Sequence, residues 1–209
     1  GQEHRLALLI IFWLICLDIM QVKRVDMILH AETALLPEGW AAEVRIRISE
    51  GRIVEVTPNA PREGLVLGCL LPAQVNLHSH TFQRAMAGMT EGRTAGKDSF
   101  WTWRALMYRF LDALSPDDVE AIAAQAMVEM AEAGFAAVTE FHYLHHPAGG
   151  GTYSDPAETS RRIVAAAEET GLGLTHLPVI YEQGGVDGRE LAGGQLRFGS
   201  TPGVYGDLL

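Results

Sequence analysis

At 209 residues the chain has room for one domain, or for one domain and part of another. Its 48% hydrophobic and 20% charged residues mark a water-soluble globular protein. The formal net charge of −10 sets aside a nucleic-acid or anionic-membrane partner, because no basic stripe is present. Cys16 and Cys69 form neither a disulfide framework nor a CxxC knuckle, which favours a reducing compartment such as the cytoplasm.

Residues Leu6–Leu17 are an unbroken apolar run after His4 and Arg5. A secretory segment has this look, but Asp18 follows at once, the run is short for a bilayer span, and no A-x-A site appears. Residues 1–26 therefore read as an apolar extension outside the fold. Residues 27–70 read as part of a small β domain. Met27–His30 is one strand, Glu43–Ile48 alternates with period two, Glu50-Gly51 turns the chain, and Arg52–Val56 returns it.

Residues 71–209 carry a different pattern. Leu71–His78 ends an apolar alternation in His78-Ser79-His80. Side chains two apart on an extended segment share a face, so His78 and His80 aim two imidazoles at one point where a buried strand meets a loop. Two imidazoles make half of a site for zinc or a similar metal. Thr90–Ser99 is a loop by composition, and Phe100-Trp101-Thr102-Trp103-Arg104 opens an aromatic segment. That segment is either a helix packing its tryptophans into the core or a pocket wall bringing Arg104 to a ligand.

Ser115–Gly134 is a helix with Ser115 as N-cap, Pro116 in the first turn and Gly134 as its stop. Val119, Ile122, Ala123, Ala126, Met130 and Ala133 form its expected buried stripe. Phe135–Tyr143 reads as a buried strand, Ala157–Thr170 as a helix stopped by Gly171, and Leu172–Tyr181 as the next strand. Strands alternating with helices predict parallel βα units, whose chemistry gathers at the carboxyl ends of the strands. His78 and His80, His142 and Tyr143, and Tyr181 and Glu182 all fall at such ends. His145 and His146 read as solvated loop residues, His176 as a hydrogen-bonded core residue, and Glu140 as an interior carboxylate or an orienting partner.

These residues carry a resemblance. A short β module, a strand ending in HxH and then βα repeats resemble the metal-dependent (β/α)8 TIM-barrel hydrolases of the amidohydrolase superfamily. Ala34–Trp40, His78–Gly88, Asp98–Arg104 and Glu140–His146 resemble formimidoylglutamate deiminase. The resemblance implies an α/β fold with the first three or so βα units of a barrel. It also implies Zn2+-dependent conversion of N-formimino-L-glutamate and water to N-formyl-L-glutamate and ammonia, in histidine degradation. His78 and His80 match zinc ligands, Gln83 a contact to the formimino group, and Arg104 and Tyr143 groups that bind substrate carboxylates. The family's remaining ligands and its acid–base residues are expected beyond Leu209, so no complete catalytic set falls within the chain, and the piece alone is expected to be inactive. The partner expected is a small formimino dicarboxylate, with room for a homodimer of the full-length protein. The competing readings are an aminohydrolase acting on a purine, pterin, triazine or imidazolone ring, and a truncated non-catalytic chain.

Overall fold

The computed structural model describes residues 26–90, 92 and 99–208. The apolar run before residue 26 and most of the loop at 90–99 lie outside the described residues. The chain divides between Gln74 and Val75 into two units.

The first unit is a sheet in the order β3-β2-β1-β4, with β1 at Met27–Leu36, β2 at Gly39–Ser49, β3 at Arg52–Thr57 and β4 at Leu65–Leu70. β1 and β2 form an antiparallel hairpin that extends well past the expected Met27–His30, pairing as far as Leu36 with Gly39. At the second hairpin Glu50 and Gly51 both take positive φ, 53° and 74°, the backbone of a primed turn whose twist matches the strands it joins. β4 escaped the sequence reading because Leu65–Leu70 is apolar without alternation. It lies parallel to β1, pairing Leu29 with Leu65 and Ala34 with Leu70. Gly64 at its start has φ of 75°, and a Cβ there would stand 2.1 Å from the Ile28 carbonyl oxygen, so only glycine fits. Leu29, Ala31, Ala34, Val44, Ile46 and Leu67 form the core.

The second unit is a mixed α/β body around a sheet in the order β5-β6-β7: β5 at Gln74–Ser79, β6 at Phe135–His142 and β7 at Gly173–Pro178. β6 and β7 are parallel, with Glu140 opposite His176. β5 was expected to be buried, yet Val75 and Leu77 are 50% and 73% exposed. Its place at the end of the strand order leaves it with a neighbour on one side only. A 3₁₀ turn, Thr81–Met86, follows β5. The helices are α1 at Phe100–Leu111, α2 at Pro116–Glu132, α3 at Glu158–Thr170 and α4 at Pro202–Leu208, with a second 3₁₀ turn at Gly193–Arg197 before α4.

Local chemistry explains the helix ends. Ser115 caps α2 by accepting from the Asp118 amide at 3.2 Å, and the Asp118 carboxylate accepts in return from the Ser115 amide at 2.9 Å. α3 stops at Gly171, which takes φ of 71°. The buried stripe of α2 is rotated from the one expected: Met127 and Ala131 are buried with Val119, Ala123 and Ala126, while Ala133 is exposed.

Candidate active site

The end of β5 presents His78 to solvent and leaves His80 half-buried. Their Nε2 atoms stand 3.1 Å apart. His80 Nδ1 donates to the Phe141 carbonyl oxygen at 2.9 Å, so its proton sits there and its Nε2 lone pair faces His78 Nε2. Burial holds the His80 imidazole below its ordinary pKa, with the Phe141 carbonyl opposing and His78 assisting, which keeps that lone pair available. The His78 ring stacks on Phe141 with centroids 4.6 Å apart. Zinc–nitrogen bonds of about 2.0–2.1 Å at a tetrahedral angle set two ligand nitrogens roughly 3.3 Å apart, so this pair fits one edge of a zinc site. Among the described residues no group of three or more His, Cys, Asp or Glu side chains could hold a metal ion, so the fit is for a pair of ligands only.

Behind the pair lies Glu140. Its carboxylate is fully buried and accepts from the Thr81 amide at 2.7 Å and the Thr81 hydroxyl at 2.9 Å. Burial pushes its pKa up, against the pull of these donors and of Ser79.

His80 shares a cleft of about 440 Å³ with Gln83, Trp101, Arg104, Tyr143 and Tyr181. α1 builds one wall. Phe100 and Trp101 are 61% and 65% exposed, so the aromatic segment forms a wall and does not pack its leading rings into the core. The Arg104 guanidinium lies over the Trp101 and Tyr108 rings, 5.7 and 5.2 Å from their centroids. Its Nε donates to the Tyr108 hydroxyl at 3.0 Å, and Nη2 reaches the Tyr181 hydroxyl at 3.5 Å. Among the described residues no carboxylate pairs with it. The opposite wall sets Tyr143 against Phe198 at a tilt, with centroids 5.5 Å apart, and Phe198 edge-on to Tyr181 at 5.8 Å. A guanidinium fixed by aromatic faces and lacking an anion is suited to a planar carboxylate.

Other sequence expectations fail here. His142 is fully buried and bonds through Nε2 to the Thr159 hydroxyl of α3 at 3.1 Å, so this strand-end histidine serves packing. His145 is 1% exposed, not solvated: Nε2 donates to the Val179 carbonyl at 2.9 Å and its amide to the Arg197 carbonyl at 2.9 Å. His146 is also tied down, its Nε2 donating to the Gly199 carbonyl. His176 is partly buried, but neither ring nitrogen has a hydrogen-bond partner among the described residues, and burial followed by the nearby His145 lowers its pKa to about 4. Tyr181 lines the cleft, whereas Glu182 is exposed and outside its lining.

The sequence reading also missed Arg197. It is fully buried, donating to the carbonyls of His146 at 2.9 Å and Leu114 at 3.1 Å and also to that of Leu111. Its position after Gly193-Gly194 gave the look of a loop. Phe198 and Gln195, on the same segment, carried no local signal either.

Comparison with solved structures places the fold. An amidohydrolase from Brucella melitensis aligns over 87% of this chain with TM-score 0.81 and 42% identity, and the match covers 41% of that protein. An atrazine chlorohydrolase from Arthrobacter aurescens, solved with zinc and atraton, aligns over 77% of this chain and 37% of its own with TM-score 0.58, a likeness of fold at 16% identity. The fold is that of an amidohydrolase. Residues 26–64 match the family model for the N-terminal domain of formimidoylglutamate deiminase HutF. The formimidoylglutamate deiminase of Pseudomonas aeruginosa is 50% identical over 184 residues, 87% of this chain and 41% of that enzyme. This chain is similar to the N-terminal part of formimidoylglutamate deiminase. It thus spans about two fifths of the length of these relatives.

Proposed function

We propose that the full-length protein hydrolyses N-formimino-L-glutamate to N-formyl-L-glutamate and ammonia. The observation that carries this reading is the Arg104 guanidinium, without a carboxylate partner among the described residues, in the same cleft as His80. The net charge of −10 repels an anionic substrate at long range, so the cleft needs a local cation to hold one. Arg104 holds a substrate carboxylate and Tyr143 donates its hydroxyl proton to the same end of the molecule. Gln83 turns its amide to the planar formimino group, with one edge able to donate and the other to accept. His78 and His80 are two of the ligands of a mononuclear zinc. A zinc held there would supply an activated water near neutral pH and Lewis acidity toward the carbon–nitrogen double bond. The Trp101 and Tyr108 rings hold the guanidinium in place for that pairing.

In this reading the three-stranded second unit supplies the opening strands of a (β/α)8 barrel, and the first unit is part of a small β-sandwich domain. The resemblance assigns such an enzyme to the cytoplasm. The test is ammonia release by the zinc-loaded full-length protein. Turnover of N-formimino-L-glutamate, with none of a neutral triazine or pterin, is expected. Turnover of the neutral ring and none of the dicarboxylate overturns the reading, because a neutral heterocycle gives Arg104 nothing to bind.

A further inference from the structure

We propose that Glu140 is a positioning residue that sets the spacing of the two imidazoles, an inference that rests on the reading of His78 and His80 as metal ligands. Two consecutive residues of β6 grip the end of β5 from opposite sides. Along an extended chain Ser79 and Thr81 face one way and His78 and His80 the other. Glu140 takes the first side: Oε1 accepts from both the amide and the hydroxyl of Thr81, at 2.7 and 2.9 Å. Phe141 takes the second: its carbonyl accepts from His80 Nδ1 at 2.9 Å and its ring stacks on His78 at 4.6 Å. Ser79, Thr81 and Glu140 are all buried, so the Glu140 side of this grip has no water to fall back on.

The choice of a carboxylate is informative. An apolar side chain at this position would leave the Thr81 amide and hydroxyl buried without an acceptor, and the segment would move to recover one. His80 immediately precedes Thr81, so that movement is passed directly to the ring. The second carboxylate oxygen, Oε2, is buried and has no hydrogen-bond partner among the described residues. A carboxylate with one oxygen left over costs stability that a smaller polar group would avoid. What fixes the turn is Oε1, which accepts both Thr81 donors. Partners that orient metal-binding histidines typically change metal affinity by about 10–100-fold when removed.

The experiment measures zinc affinity of the full-length protein by competition with a chromophoric chelator, and follows the His80 Nδ1 proton by NMR in metal-free protein. Glu140→Leu is expected to weaken zinc about 10–100-fold and to lose the slowly exchanging His80 proton. Glu140→Gln, which keeps an acceptor oxygen in place, is expected to recover most of the affinity. Thr81→Val, which removes the hydroxyl and keeps the amide, should fall between and serves if the leucine variant does not fold. Zinc affinity within twofold of the unmodified protein in folded Glu140→Leu, or in Thr81→Val should the former not fold, overturns the proposal. Retention of zinc by the His78→Ala/His80→Ala variant is a separate result and overturns the metal reading beneath it.

Discussion

Replacing Arg104 by methionine tests the substrate reading most directly. Methionine keeps the unbranched apolar stem that packs along Trp101 and Tyr108 but removes the charge and the five donors. The loss on the ligand side is a charge-assisted pairing, roughly 1.5–3 kcal/mol, or about one to two decades in affinity. The loss on the folding side comes from two cation–π contacts at 5.7 and 5.2 Å and one hydrogen bond to Tyr108 at 3.0 Å. Each half-exposed cation–π contact contributes about 0.5–1 kcal/mol, and the sulfur of methionine recovers part of that against the same rings. Folding is therefore weakened by about 1 kcal/mol, which shifts a melting temperature by only a few degrees. The ligand effect is larger than the folding effect, and the two separate cleanly. In the full-length enzyme KM for N-formimino-L-glutamate should rise about 10–100-fold and inhibition by glutarate should weaken in parallel, while zinc content stays the same. A KM within twofold of the unmodified enzyme would make Arg104 a structural residue of the aromatic wall and refute the reasoning.

The His78→Ala/His80→Ala double variant should lose its zinc on dialysis and lose turnover by several orders of magnitude, which metal analysis and the ammonia assay check together. Tyr181→Phe removes a hydroxyl that meets both Arg104 at 3.5 Å and Gln195 at 3.4 Å, and should raise KM severalfold with little change in kcat; a pure kcat effect would count against its place beside the carboxylate. Acid should destabilise the second unit. His176 is held near a pKa of about 4, with His142 and His145 also lowered, chiefly by burial. Unfolded histidine takes up a proton near pH 6.5, so between about pH 6.5 and about 4 the unfolded chain binds more protons and stability falls as pH falls. In thermal melts across that window His176→Leu should flatten the slope by at most about 1.4 kcal/mol per pH unit; an unchanged slope would show that His176 titrates normally.

Local rules made much of the framework legible. The alternation of Glu43–Ile48 survives as β2, Ser115-Pro116 as the start of α2, and Gly171 as the end of α3, because each depends on neighbours within a few residues. His78 and His80 were found for the same reason: a spacing of two is enough to put them on one face. What escaped depends on partners far along the chain. Leu65–Leu70 pairs in parallel with β1, a long-range pairing that no local pattern specifies. His145 looks solvated beside Pro147 until the Val179 and Arg197 carbonyls arrive to satisfy it. His176 sits in register with Glu140, where a core histidine would be expected to find a partner, yet it has none among the described residues. Tyr181 and Phe198 join Tyr143 only through edge-on and tilted ring contacts made in the tertiary fold, for which adjacent sequence holds no pattern.

Arg197 gives the cleft a mechanical property. One guanidinium gathers the carbonyls at the end of α1, the stretch just after it, and the loop beyond β6, while the Arg197 carbonyl accepts the amides of His145 and His146 at 2.9 and 3.1 Å. The helix bearing Arg104, the loop bearing Tyr143 and the segment bearing Phe198 thus share a single tie. Regions joined in this way open as one cooperative block, so the amide protons of His145 and His146 should exchange with solvent at a common rate set by that opening. Substitutions in residues 193–198 then reach Arg104 without touching it, and their energies should fail to add with those of changes in α1. The wall of the cleft behaves as one rigid frame, assembled or lost together.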